Sequence, residues 1–102
     1  MAETKIDIKV VDIVKKYIDE ISKKFDIQEV YLFGSYAKGK ATEESDVDLL
    51  IATSVSGIQF YDLVETIREN LKKKVDILNY EQLNENPDLV HEILKDGIKI
   101  YG

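Results

Sequence analysis

The sequence contains no cysteine and no tryptophan, and it has one proline and one histidine among its 102 residues. Without cysteine the chain forms no disulfide, no zinc–thiolate site and no thiol nucleophile. No stretch approaches the ~20 apolar residues that a membrane-spanning helix needs, and the charged first residues are not typical of a secretion signal. We therefore expect a cytoplasmic protein with no membrane partner.

Basic residues are in the minority, since 14 lysines and arginines face 20 acidic residues and the formal charge is −6. A dedicated nucleic-acid binder usually carries a net basic surface, so strong nucleic-acid binding is not expected. The apolar fraction of 44% is ordinary for a folded protein. The length fits one domain over residues 1–102, and so small a core favours association with a partner or a second copy.

The spacing of apolar residues alternates between helical and strand periods along the chain. Helices are predicted over Val10–Phe25, over Phe60–Leu71, briefly after Gly34, and from Asn86-Pro87 to a cap at Gly97. Strands are predicted at Gln28–Phe33, Val47–Ala52, Lys74–Asn79 and, as an edge strand, Ile98–Tyr101. This order predicts an α/β (α+β) domain with a small mixed sheet flanked by helices.

The first candidate site is the turn after the first predicted strand, in the segment LFGSYAKG. Gly34 permits close approach of a ligand to the backbone, and amides at the start of a following helix would point at an anion. Ser35 adds a hydroxyl, so the turn can hold a β- or γ-phosphate. If that phosphate belongs to a nucleotide, Tyr36 would flank it, because Tyr36 follows Ser35 directly. Taken alone, a Gly-Ser pair is more often an ordinary strand-to-helix turn with a serine cap.

The second candidate is the pair Asp46 and Asp48 at the start of the second predicted strand. Carboxylates two residues apart in a strand point to the same face, with Cα atoms about 6.5–7 Å apart. A divalent cation between them would be ligated by both. Two solvated aspartates at the start of a strand remain an equal alternative.

Asp76 is the third candidate, because it places a charge inside the apolar strand segment VDIL. If this strand lies beside the strand of Asp48, the three carboxylates share one face. Like charges raise one another's pKa and call for a cation, and magnesium prefers such oxygen ligands. The alternative is a charge at the end of an edge strand. Together the three features predict metal-assisted phosphoryl or nucleotidyl transfer.

Three parts of the sequence together resemble the minimal nucleotidyltransferases of the DNA polymerase beta superfamily: Gly34–Gly39, Ser45–Leu50 and Asp76. The resemblance implies a nucleotidyltransferase fold like the palm of polymerase beta. Lys38 stands where this family more often has arginine, and lysine keeps the charge but lacks the planar fork of arginine. The resemblance still implies that Lys38 contacts phosphate.

The same resemblance implies a role for each site residue. Gly34 and Ser35 would hold the triphosphate of ATP. Asp46 and Asp48 would bind two magnesium ions, while Asp76 would ligate one of them and help deprotonate the attacking hydroxyl. All three aspartates thus count as catalytic residues and as metal ligands.

Chains this short in the resembled family commonly accompany a HEPN toxin. The resemblance therefore implies an antitoxin of a type VII-like pair, which transfers AMP from ATP to a tyrosine hydroxyl of the HEPN protein. The acidic charge of the chain suits a basic, RNA-cleaving partner. One alternative is an antitoxin that neutralises its partner by binding, with little catalysis. Nucleotide transfer to a small molecule is a weaker alternative, since no second substrate domain is visible.

Overall fold

The computed structural model describes residues 8–42, 44–71, 73–80 and 86–102. The helices in these residues are α1 (Ile8–Ile21), α2 (Ile58–Leu71) and α3 (Pro87–Asp96). The strands are β1 (Ile27–Phe33), β2 (Val47–Thr53), β3 (Val75–Asn79) and β4 (Ile98–Tyr101). Across the described ranges, no helix has the length and apolar character that crossing a membrane requires.

The four strands form one mixed sheet in the order β3-β2-β1-β4. β1 pairs antiparallel with both β2 and β4, whereas β2 and β3 are parallel. The parallel pair is joined by α2, because parallel neighbours need a crossover connection. The predictions of a small mixed sheet and of an edge strand at Ile98–Tyr101 are confirmed.

One face of the sheet is covered by α1 and α2. Val14 and Ile18 of α1 and Leu63 and Ile67 of α2 are at most 1% exposed and pack in the same core as Leu49. The first helix ends earlier than its apolar pattern predicts, because Phe25 reaches this core from the turn that follows α1.

The other face is covered by α3. Ile93 of α3 packs on Leu50, and Phe33 and Leu78 border this second cluster. Successive residues of a strand face opposite sides, so β2 places Leu49 in one core and Leu50 in the other. The nearly continuous apolar run in β2 correctly predicted a strand that is buried on both faces.

The two ends of α3 follow the local signals in the sequence. The Asn86 side chain accepts a hydrogen bond from the Leu89 amide at 3.3 Å, which caps the start of the helix. Gly97 follows its end, and its amide donates to the Ile93 carbonyl at 2.7 Å. A Cβ at Gly97 would meet the Ile93 carbonyl and would lie 3.3 Å from the Leu32 carbonyl oxygen. Glycine therefore lets the end of α3 lie directly on β1.

Tyr17 connects α1 to α2 and provides a test of this packing. Its hydroxyl donates to the Thr66 carbonyl at 2.9 Å and accepts from the Asn70 amide at 2.8 Å. Tyr17→Phe should lower the free energy of unfolding in urea by about 1 kcal/mol, the usual net contribution of such bonds. Tyr61→Phe is the control, because the Tyr61 side chain is 68% exposed. Equal losses in the two variants would contradict this role for Tyr17.

Candidate active site

The turn after β1 is the first part of the site. Gly34 has a φ of 73°, a left-handed conformation that favours glycine. The Lys38 amide donates to the Gly34 carbonyl at 3.1 Å, and the Lys40 amide donates to the Ser35 carbonyl at 2.9 Å. The second bond spans five residues, whereas an α-helix repeats bonds across four. The predicted short helix after Gly34 is therefore wrong, and the segment is a series of tight turns.

Gly34 lies against the carboxylate of Asp48. β1 and β2 pair Phe33 with Asp48, so the turn begins beside this aspartate. A Cβ at Gly34 would collide with the Asp48 carboxylate. Because Gly34 has no side chain, the turn and the Asp48 carboxylate can lie in direct contact.

Asp48 and Asp76 are neighbours across the parallel pair β2–β3. Paired residues of adjacent strands have their backbones about 4.8 Å apart and point to the same face. They face the same side as Leu50 and Leu78, two residues further along each strand. The prediction that Asp76 joins the face of Asp48 was conditional on neighbouring strands, and these strands are neighbours.

The electrostatics of the site centre on Asp48, which is partly buried, whereas Asp76 is exposed. Burial raises the pKa of the Asp48 carboxyl above its usual value, and the charges of Asp76 and Asp46 raise this pKa further. Burial and like charge both disfavour the ionised form, so a cation or a donor would stabilise it.

Asp46 lies one residue before β2 rather than inside a strand. Its carboxylate is 3.8 Å from the Lys74 ammonium, and the Val47 amide donates to the Lys74 carbonyl at 2.9 Å. The loop before β3 therefore brings a cation to Asp46. Lys74 was not predicted as a site residue, because only the pairing of β2 with β3 places it there.

The acidic residues share one end of the sheet, but their side chains do not converge on a single point. Within the described ranges, no group of three acidic or histidine side chains is arranged to hold one metal ion. Asp46, Asp48 and Asp76 nevertheless supply carboxylate oxygens, the ligand type that magnesium prefers. The chemistry of these donors fits magnesium, and the two-ion site stays a prediction.

Lys38 belongs to the Gly34 turn, but its ammonium contacts α3. It donates to the Glu92 carboxylate at 2.8 Å, and the Lys38 and Glu92 side chains are 43% and 51% exposed. The hydrogen bond and charge of Glu92 raise the pKa of Lys38, and Asp96 contributes to the rise. Sequence reasoning missed Glu92 because it lies 54 residues from Lys38 with no local spacing to link them.

Tyr36 does not have the predicted position beside a nucleotide. Its side chain is 2% exposed and packs in the core that α1 and α2 cover. The Lys73 ammonium lies 5.6 Å from the centre of its ring. The ring of Tyr36 therefore packs the turn against the core, and the interpretation of Tyr36 as a nucleotide contact is wrong.

This arrangement of a Gly-Ser turn and paired aspartates can be compared with known proteins. Residues 15–102 match the family model described as "Polymerase beta, Nucleotidyltransferase". The chain belongs to this family. It is a nucleotidyltransferase, as the motifs indicated. It is 34% identical over 88 residues to a provisionally named protein adenylyltransferase of Methanocaldococcus jannaschii, which covers 83% of this chain and 86% of that protein.

Solved structures agree on the fold of this nucleotidyltransferase. A provisionally described minimal nucleotidyltransferase is similar with a TM-score of 0.75 and 26% identity, over 94% of this chain and 98% of that chain. A structure of a tri-AMPylated Shewanella oneidensis HEPN toxin in complex with an MNT antitoxin matches with a TM-score of 0.66 and 19% identity. That match covers 90% of this chain and 72% of the other. The predicted nucleotidyltransferase fold is confirmed.

Proposed function

We propose that this nucleotidyltransferase transfers AMP from ATP to a tyrosine hydroxyl of a HEPN-type protein and thereby acts as its antitoxin. The observation that carries the proposal is the pairing of Asp48 with Asp76 beside the Gly34 turn. The relative named as a protein adenylyltransferase supports the reaction. The similar fold found with an AMPylated HEPN toxin supports the acceptor.

The reaction is an in-line attack of the acceptor oxygen on the α-phosphorus of ATP. A new oxygen–phosphorus bond forms, the bond to the β-phosphate oxygen breaks, and pyrophosphate leaves. The turn at Gly34 and Ser35 would hold the β- and γ-phosphates with backbone amides and the serine hydroxyl. Magnesium held by the aspartates would stabilise the phosphate charge as a Lewis acid.

The aspartates have different surroundings and can therefore do different work. Asp48 is partly buried between the turn and β3, so its carboxylate is held in place, as a ligand of a magnesium ion beside the phosphates would need to be. Asp76 is exposed on the outer strand of the described sheet, so an acceptor hydroxyl can reach its carboxylate. We assign Asp76 to accept the hydroxyl proton as the new bond forms.

The acidic character of the chain supports a protein acceptor of opposite charge. The formal charge of −6 favours a basic partner, because complementary charge speeds encounter and orients the two surfaces. Binding to a second copy of this chain stays a separate prediction.

Transfer to the partner tests the proposal directly. The intact chain, magnesium and the HEPN-type protein are incubated with ATP that carries the label on its α-phosphate. We expect the label on a partner tyrosine, and we expect none from ATP labelled on the γ-phosphate, because pyrophosphate leaves. A partner that stays unlabelled although the chain binds ATP would overturn the proposed acceptor. Replacing the acceptor tyrosine by phenylalanine should remove the label.

A further inference from the structure

The end of α3 presents two carboxylates to the Gly34 turn. Glu92 accepts the hydrogen bond of Lys38 at 2.8 Å, and Asp96 is close enough to raise the pKa of Lys38. Glu92 and Asp96 are four residues apart, so they lie on the same face of the helix. Gly34, Lys38, Glu92 and Asp96 together line a small surface cleft between the turn and α3.

The ion pair between Lys38 and Glu92 is open to solvent, since both side chains are about half exposed (43% and 51%). Exposed ion pairs of this kind contribute little to stability, because water screens both charges. A triphosphate carries several negative charges, so it can outcompete one carboxylate for a lysine. Lys38 can therefore exchange partners without loss of the fold.

The position of Lys38 makes this exchange relevant to nucleotide binding. Its backbone amide closes the turn by donating to the Gly34 carbonyl at 3.1 Å, whereas its side chain extends to Glu92. Phosphates held at Gly34 and Ser35 would meet a cation that a carboxylate already neutralises. Glu92 and Asp96 would also repel those phosphates while Lys38 remains with α3.

We propose that Glu92 is a positioning residue that sets the nucleotide affinity of the site by competing with the phosphates for Lys38. This inference rests on the proposed role of the Gly34–Ser35 turn in binding ATP. Nucleotide binding then moves the Lys38 ammonium from α3 to the phosphates and leaves Glu92 facing solvent. The carboxylate lowers affinity without contacting the reacting atoms.

Calorimetry of the intact chain with magnesium and a non-hydrolysable ATP analogue tests the proposal. Glu92→Gln should lower the Kd about 2- to 5-fold, the modest effect expected from losing a solvent-exposed competitor for Lys38. In transfer assays, KM for ATP should fall while kcat stays the same. Asp62→Asn is the matched control, because Asp62 is exposed on α2 on the opposite face of the sheet and its loss should leave Kd unchanged.

A second background shows whether Glu92 acts through Lys38. Lys38→Met should raise Kd, and adding Glu92→Gln to it should then change Kd much less than in the wild type. An unchanged or raised Kd in Glu92→Gln would overturn the inference. An equal decrease with and without Lys38 would also overturn it, because the effect would then be general charge repulsion. If the wild type labels its partner, either result leaves the proposed function intact.

Discussion

Replacing Asp48 by asparagine is expected to reduce the rate of AMP transfer by at least about 100-fold, because the metal-assisted charge stabilisation that we propose for this residue is worth several kcal/mol. Asparagine keeps the size and polarity of the side chain but removes the charge that faces Asp76. The rate is measured with α-labelled ATP at saturating nucleotide and magnesium. A variant that retains a tenth or more of the wild-type rate would contradict this role for Asp48.

The same variant should be folded, and at neutral pH without divalent ions it should be more stable than the wild type. Burial and the charges of Asp76 and Asp46 raise the pKa of Asp48 in the folded state. A raised folded pKa contributes stability below the unfolded pKa, and that contribution is lost as pH rises through the folded pKa. The ordinary pKa of an aspartate carboxyl is 3.8. As the pH rises above this value, the wild type should therefore lose stability relative to Asp48→Asn.

Thermal unfolding between pH 3 and pH 8 in a chelator checks this sign. Asp62→Asn, an exposed carboxylate on α2, serves as the control for loss of one negative charge. If Asp48→Asn melts below the wild type at neutral pH, Asp48 is a structural acceptor rather than an ion ligand. If Asp48→Asn loses AMP transfer but keeps its thermal stability, Asp48 is needed for the reaction and not for the fold.

The Asp48→Asn variant also separates catalysis from simple binding as the way in which the partner is neutralised. If neutralisation depends on AMP transfer, cells that express the HEPN-type partner should grow with the wild-type chain and fail to grow with the variant. Growth with the variant, at equal protein levels and without label on the partner, would favour neutralisation by docking alone.

Gly34→Ala should have the second large effect, because it damages both the fold and the site. A left-handed backbone costs a residue with a side chain about 1–2 kcal/mol, and overpacking adds about 1–3 kcal/mol. The added methyl would press on the Asp48 carboxylate. We expect the free energy of unfolding in urea to fall by about 2–5 kcal/mol, and transfer to be lost.

Gly57→Ala is a matched control for this substitution. Gly57 also has a left-handed backbone, with a φ of 60°, but an added Cβ would find no atom within 4 Å. It should therefore cost only the backbone term of about 1–2 kcal/mol and keep activity. Equal destabilisation of the two variants would mean that the contact between Gly34 and Asp48 is not tight.

The sequence predicts most of the secondary structure because the signals involved are local. The capping residue Asn86 and the stop at Gly97 act within one helical turn, and the run in β2 is unusually apolar. The family resemblance likewise depends on short segments. These features follow from nearest neighbours along the chain.

Contacts between distant segments were outside the reach of such signals. The sequence predicts that Asp76 shares a face of the sheet with Asp48 only if the strand of Asp76 lies beside β2. The contact of Lys38 with Glu92 depends on the placement of α3 over the turn. Tyr36 was misassigned because its neighbours in sequence are polar or small, whereas the chain turns it into the core.

The position of Asp76 has a consequence for edge-to-edge strand pairing between copies of the chain. β3 is an outer strand of the described sheet, and an outer strand carries backbone groups that can pair with another chain. A charged side chain on such a strand discourages this pairing, because joining two copies edge to edge would bring like charges together. We expect the carboxylate to which we assign a role in the reaction also to disfavour pairing along this edge of the sheet. Neutral substitutions at Asp76 should therefore be judged by aggregation as well as by activity.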